Sequence, residues 1–309
     1  MDGTILVLGY GTIGQAATAL LTADGQSVRV AQRHRPSELP DGVSFIECDV
    51  LDANQVRRAV EGVAQVLVAV SFPYDARIWR TAWPTAMTNV VEACAAVEAR
   101  IVLIDNLYQL GPQTGTRDEA TPLSFAGDKP AILTEVTAIW MAARNRVRLA
   151  ALRCPDFYGP GVGNSHVGAT GFGRMANGKS AMLLAPPDTL HDFAYVPDIA
   201  RAAVTLLTAP DDAFGQAWNM PCAPTLTPRE ILRLGAEAIG VPLKVVAVPL
   251  WLLPILGLFS RMMKEVADVA FTWDRPYFID AGKFKRRFWA DVTPFEVGAA
   301  ATARSFASA

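Results

Sequence analysis

What is scarce in this chain narrows its function first. Of 309 residues only four are cysteine, and Cys48, Cys94, Cys154 and Cys222 stand far apart with no Cys-x-x-Cys pair. That spacing excludes a disulfide framework and reads as reduced thiols of a cytoplasmic protein. His34, His166 and His191 are the only histidines, and none pairs at helical spacing, so no metal site is expected. Neither charge is in excess: 28 Lys+Arg face 30 Asp+Glu, which leaves no electrostatic footprint for nucleic acid. Long apolar runs are missing too. Val248–Phe259 is the most apolar stretch, but Pro249 and Pro254 interrupt it. It falls well short of the roughly 20 residues of a spanning helix. A buried or lid helix is expected there, with an interfacial membrane contact as the alternative and no stable membrane insertion. The start of the chain does not read as a secretory signal, since Asp2 is acidic and Thr4–Leu8 is short.

What is present is a core. Hydrophobic residues make up 51% of the chain and charged residues 19%, which excludes wholesale disorder. Short apolar runs at Ile5–Leu8, Val28–Ala31, Val43–Ile46, Val66–Val70, Ile101–Ile104 and Leu149–Leu152 read as strands. Between them, helical patterns fall at Ile13–Leu21, from Asp52 to Val60, Trp83–Val97 and Lys129–Arg144. Strands alternating with helices imply an α/β fold, a doubly wound parallel sheet of Rossmann type. The expected division is a dinucleotide-binding domain over 1–155 and a small substrate-binding lobe over 156–309, interleaved with the last elements of the main sheet. Ile199–Leu207 is a further helix. Thr227-Pro-Arg-Glu230 has the signature of a helix start.

Gly9-Tyr10-Gly11-Thr12-Ile13-Gly14 is a GxGxxG segment between a strand and a helix. The first glycine allows the tight turn, the second lets backbone approach a pyrophosphate, and the third lets helix pack on strand. The end of the second strand carries no acid to take a ribose 2′-hydroxyl. Arg33 and Arg35 stand there instead, with forks suited to a 2′-phosphate. NADP is therefore expected ahead of NAD, which stays possible; Gln32 could serve either ribose.

Three further segments carry a family resemblance. Cys48-Asp49-Val50-Leu51-Asp52 resembles the acidic segment after the third strand of short-chain dehydrogenase/reductases. Arg153-Cys-Pro-Asp-Phe-Tyr-Gly-Pro-Gly161 and His191-Asp-Phe-Ala-Tyr-Val-Pro-Asp198 resemble segments of the extended branch, the NAD-dependent epimerase/dehydratase family. The resemblance implies adenine contacts at Asp49 and Val50. It implies nicotinamide-side contacts at Val70, Ser71, Pro155 and Phe157, and a homodimer paired through two helices. Val90, Ala93, Ile132, Val136, Ile139 and Trp140 on those helices are apolar on more than one face.

The catalytic segments depart from that family's pattern. Asn106 stands at the substrate-binding Ser/Thr position, where its amide can still polarise a carbonyl. The family's Tyr-x-x-x-Lys aligns with Phe125-Ala-Gly-Asp-Lys129, which keeps the lysine and lacks the hydroxyl. Reduction of a carbonyl needs a proton donor. Tyr108 is the first candidate, Tyr158 the second, and a water or ribose relay through Lys129 the third. The expected activity is an NADP-dependent oxidoreductase acting on a small carbonyl or alcohol. An epimerase or dehydratase with transiently used cofactor, or a non-catalytic NADP-binding redox sensor, is the alternative. Phe72, Trp79, Trp83, Phe157, Trp251 and Phe278 could line an apolar substrate pocket. Arg174, Lys179, Arg261 and Lys264 could hold a second pyrophosphate.

Overall fold

In the computed structural model, residues 3–307 are described, and they form two compact units. The first runs up to Asp105 and adds residues 129–153 and 199–218. The second is built from residues 106–128, residues 154–198 and the chain from Asn219 onward.

The first unit is a seven-stranded sheet. Its strands are β1 (Thr4–Leu8), β2 (Val28–Gln32), β3 (Ser44–Glu47), β4 (Val63–Val68), β5 (Arg100–Asp105), β6 (Leu149–Arg153) and β7 (Gln216–Asn219). Their spatial order is β7-β6-β5-β4-β1-β2-β3. The pairs β3–β2, β2–β1, β1–β4, β4–β5 and β5–β6 are all parallel. Strand order reverses between β1 and β4, and ligands bind such sheets beyond the carboxyl ends at that reversal. β1 and β6 are almost wholly buried, as strands covered on both faces must be. β3 lies at the sheet edge and is half exposed.

Helices α1 (Thr12–Ala23), α2 (Ala53–Val60), α3 (Ala76–Ala96), α4 (Asp128–Ala142) and α5 (Val196–Leu207) make the crossovers or follow them. α2 starts where its cap demands, with Asp52 accepting from the backbone N–H groups of Asn54 and Gln55. Two boundaries differ from expectation. β4 begins at Val63, before the expected Val66, and ends at Val68; the polar Gln65 that broke the apolar run is itself buried in the strand. α3 begins at Ala76, capped by Asp75, so Pro84 lies inside the helix and does not open it. Of the six apolar residues that suggested a dimer face, Val90, Ala93, Ile132, Val136 and Trp140 are buried within the single chain.

The second unit packs α6 (Pro228–Ile239) against α7 (Phe295–Ala307). Their shared core contains Phe172, Ile231, Leu232, Phe295 and Ala299. α6 opens with the expected capping box: Thr227 accepts from the Glu230 N–H, and the Glu230 carboxylate accepts from the Thr227 N–H. Gly235 in α6 is dictated by packing, because a Cβ there would lie 2.5 Å from the Phe172 ring. Among the described residues no helix is long and apolar enough to cross a membrane.

Candidate functional site

The glycine loop lies at the strand-order reversal of the first unit. Ala69 donates its N–H to the Leu8 carbonyl at 2.8 Å, and Gly9 donates to the Ala31 carbonyl at 2.9 Å. Gly9 has φ +98°, and a Cβ there would sit 2.5 Å from the Ala69 oxygen. A Cβ on Gly14 would sit 2.1 Å from the Gly9 oxygen. These two glycines are required by the protein's own packing. Gly11 is different: a Cβ there meets nothing within 4 Å. Gly11 is also the N-cap of α1, with no side-chain cap and no acid in the first turn. The free N–H groups of that turn suit an anion. Open space over the second glycine and an uncapped helix start fit a dinucleotide pyrophosphate.

Gln32 is engaged at both ends of its carboxamide. Its Oε1 accepts from the Tyr10 N–H at 3.2 Å, and its Nε2 donates to the His34 carbonyl at 2.8 Å. It braces the glycine loop against the turn after β2. Arg33 and Arg35 are exposed, and the Arg35 guanidinium lies 5.5 Å from the centre of the Phe45 ring. Asp49 accepts from the Leu51 N–H at 3.0 Å, and the Val50 carbonyl accepts from Asn89 Nδ2 at 3.0 Å. That pins the segment after β3. Val70 is half-buried and Ser71 exposed beyond β4.

Lys129 is fully buried. Its ammonium lies 4.5 Å from the centre of the Tyr74 ring and 5.7 Å from that of Trp79. Aromatic faces attract a cation that has lost water. Trp79 is fixed in turn by its indole N–H, which donates to the Pro73 carbonyl at 2.9 Å. At the carboxyl ends of β5 and β6, Asp105 and Arg153 pair in register, Nε to Oδ2 at 3.8 Å.

Asn106 and Tyr108 follow β5 directly and belong to the second unit. Asn106 Oδ1 accepts from the Tyr108 N–H at 2.9 Å, which orients the carboxamide. Gln109 Nε2 donates to the Asn106 carbonyl at 2.8 Å. Tyr108 is half-buried. Phe125, which the resemblance aligns with the family's tyrosine, is 73% exposed. Tyr158 is enclosed by Tyr195 and Phe295, and burial pushes its hydroxyl well above the usual phenol range, which opposes proton transfer. Pro155 is buried and Phe157 half-buried, in a short ladder with Ala194. Arg174 and Lys179 flank a surface hollow of about 260 Å³, whereas Arg261 and Lys264 lie on the separate helix Arg261–Ala267.

The second unit also holds a cluster of buried and half-buried titratable side chains that sequence reasoning missed. Asp156 Oδ2 accepts from the Trp273 indole at 2.6 Å and lies 3.1 Å from His191 Nε2. His166 stacks on Trp273 at 4.7 Å, and His191 on Tyr277 at 5.0 Å. The Arg117 guanidinium covers the other ring contact, 3.9 Å from the Tyr277 centre. Burial pushes the Asp156 carboxyl up, but the neighbouring imidazoles outweigh it and hold the group below its usual range. Burial drives His166 down to about 4, against the pull of Asp156. No spacing in the sequence signals these partners. The acids of His191–Asp198 are clamps: Asp192 accepts from the Ile279 N–H at 2.7 Å, and Asp198 from the Thr293 N–H at 2.8 Å.

Comparison with known proteins gives consistent relatives. The sequence pattern of the NAD dependent epimerase/dehydratase family matches residues 5–220. Short-chain dehydrogenase/reductase family 42E member 1 of Danio rerio is 22% identical over 293 residues, covering 86% of this chain and 75% of that protein. The Bordetella bronchiseptica enzyme WbmH in complex with NAD+ superposes with a TM-score of 0.78 at 16% identity, over 98% of each chain. UDP-glucuronic acid 4-epimerase from Bacillus cereus in complex with NAD also gives a TM-score of 0.78 at 16% identity, over 98% of each chain.

Proposed function

Since the chain belongs to the NAD-dependent epimerase/dehydratase family, we propose that it is an NADP-preferring oxidoreductase acting on a small carbonyl or alcohol. The observation that carries the reading is the glycine loop, where Gly9 and Gly14 are fixed by packing and only Gly11 faces open space. A nicotinamide dinucleotide bound there supplies or accepts a hydride. The chain's own residues do the rest. The α1 N-terminus holds the pyrophosphate. Arg33 and Arg35, exposed beyond β2 with no acid beside them in sequence, hold a 2′-phosphate. Asp49 and Val50 line the adenine side; Val70, Ser71, Pro155 and Phe157 the nicotinamide side. Asn106 donates from Nδ2 to the substrate oxygen, and Tyr108 supplies the proton. Lys129, whose ammonium lies against the Tyr74 and Trp79 rings, is the residue that reaches the ribose.

Titration calorimetry tests the cofactor assignment. NADPH should bind more tightly than NADH, and Arg33→Ala should lose about 1.5–3 kcal/mol of NADPH binding, the value of a charge-assisted hydrogen bond. Equal affinities would overturn it. A panel of aldehydes and ketones with NADPH, followed at the nicotinamide absorbance, tests the reaction. The family match equally supports an epimerase or dehydratase that uses its cofactor transiently. Protein that purifies with nicotinamide bound and oxidises no net substrate would favour that second reading.

A further inference from the structure

The stretch expected to be a buried or lid helix is the most exposed apolar surface of the second unit. A turn at Leu250–Leu252 leads into the one-turn helix Leu253–Leu256, and a short loop follows before the helix Arg261–Ala267. Trp251 is 68% exposed, Leu258 80% and Phe259 87%. Ile255, Leu256 and Met262 are exposed beside them. Side chains this open stand out from the surface and do not line a groove. Exposed apolar residues scattered singly need no explanation, but six within twelve positions mark a contact surface.

The charge of the segment narrows the partner. From Lys244 to Lys264 there are three cations and no acid, in a chain whose total charge is balanced. Glu265, the next acid, is buried and paired with Arg261 at 3.1 Å. Lys244 and Lys264 are both exposed. Protruding aromatic and aliphatic side chains flanked by cations are what an anionic bilayer interface takes up. A second copy fits less well, because a two-fold contact would press each cationic rim against its own copy.

We propose that Trp251–Met262 is a monotopic membrane-contact surface, which inserts Trp251, Leu258 and Phe259 among acyl chains while Lys244 and Lys264 meet anionic headgroups. It makes the protein peripheral to a membrane without crossing it.

Flotation of the full chain with vesicles tests this. One set contains equal parts phosphatidylcholine and phosphatidylglycerol, the other phosphatidylcholine alone. The chain should float with both and more strongly with the anionic set. The double variant Leu258→Ser, Phe259→Ser should lose more than about tenfold in vesicle affinity. Its melting temperature and NADPH affinity should stay unchanged, since neither side chain is packed. Lys244→Gln and Lys264→Gln should each cut anionic-vesicle affinity about fivefold and leave neutral-vesicle binding alone. Three results would overturn the proposal. They are failure to float with either set, flotation undiminished in the double variant, and a wild-type dimer in light scattering that the double variant abolishes while vesicles have no effect.

Discussion

A methyl group is the smallest probe of the glycine loop, and it separates ligand from fold. Gly11→Ala meets no protein atom within 4 Å, so the variant should melt as the parent does. Its methyl occupies the space over the α1 N-terminus, so NADPH affinity should drop by more than about tenfold, equivalent to about 1.4 kcal/mol. Gly14→Ala brings its Cβ to 2.1 Å from the Gly9 oxygen and should destabilise the first unit by about 1–3 kcal/mol or more. Equal melting losses for the two would refute the division of labour. Tyr108→Phe should lower turnover by about 10²–10⁴-fold with cofactor affinity kept, the range for losing a general acid. His166 sets a pH limb. Its folded pKa of about 4 lies below the ordinary value of 6.5, so the unfolded chain binds the proton more readily. Stability is complete above the ordinary histidine pKa and falls as pH drops towards about 4, by on the order of 2–3 kcal/mol. Asp156, held low, loses its contribution only below the usual carboxylate range. Thermal melts across that window should show the decline, and His166→Gln should flatten it.

Among the elements, those specified by short-range chemistry were legible. The Thr227 and Glu230 pair names the start of α6, and Asp52 names that of α2. Thr227→Ala should cost about 1 kcal/mol in denaturant unfolding, and Thr227→Ser should restore most of it. Where the local signal conflicted with packing, packing won. Pro84 reads as a first-turn residue, yet α3 starts two turns earlier because Ala76, Trp79, Ala82 and Trp83 are all buried. The proline removes one N–H from that helix, and burial of the indoles compensates. The seat of Lys129 was invisible for the same reason. Tyr74 and Trp79 lie ahead of the expected Trp83–Val97 helix, in the turn before α3 and in its first turn, and the packing of that longer helix brings them over the ammonium.

On the scale of the whole chain, six of the seven sheet strands were readable because each β-α-β step is nearly local and shows as alternation; β7, which follows β6 only after a long irregular stretch, was not among the expected runs. The second unit was not readable either. Asp156, His166, His191 and Trp273 meet across more than a hundred positions, with no sequence period linking them. The placement of β7 has a further consequence for how the protein is born. The sheet order puts β7 against β6, yet β6 ends at Arg153 and β7 begins at Gln216. A ribosome adding about 5–20 residues per second exposes the β6 edge for several seconds before its neighbour exists. The nascent first unit therefore waits, one strand short, for a segment encoded beyond much of the second unit. Residues 1–155 expressed alone would keep that open edge permanently. Such a fragment should be recovered mainly in aggregates, and adding a Gln216–Asn219 strand through a short linker should increase the soluble fraction.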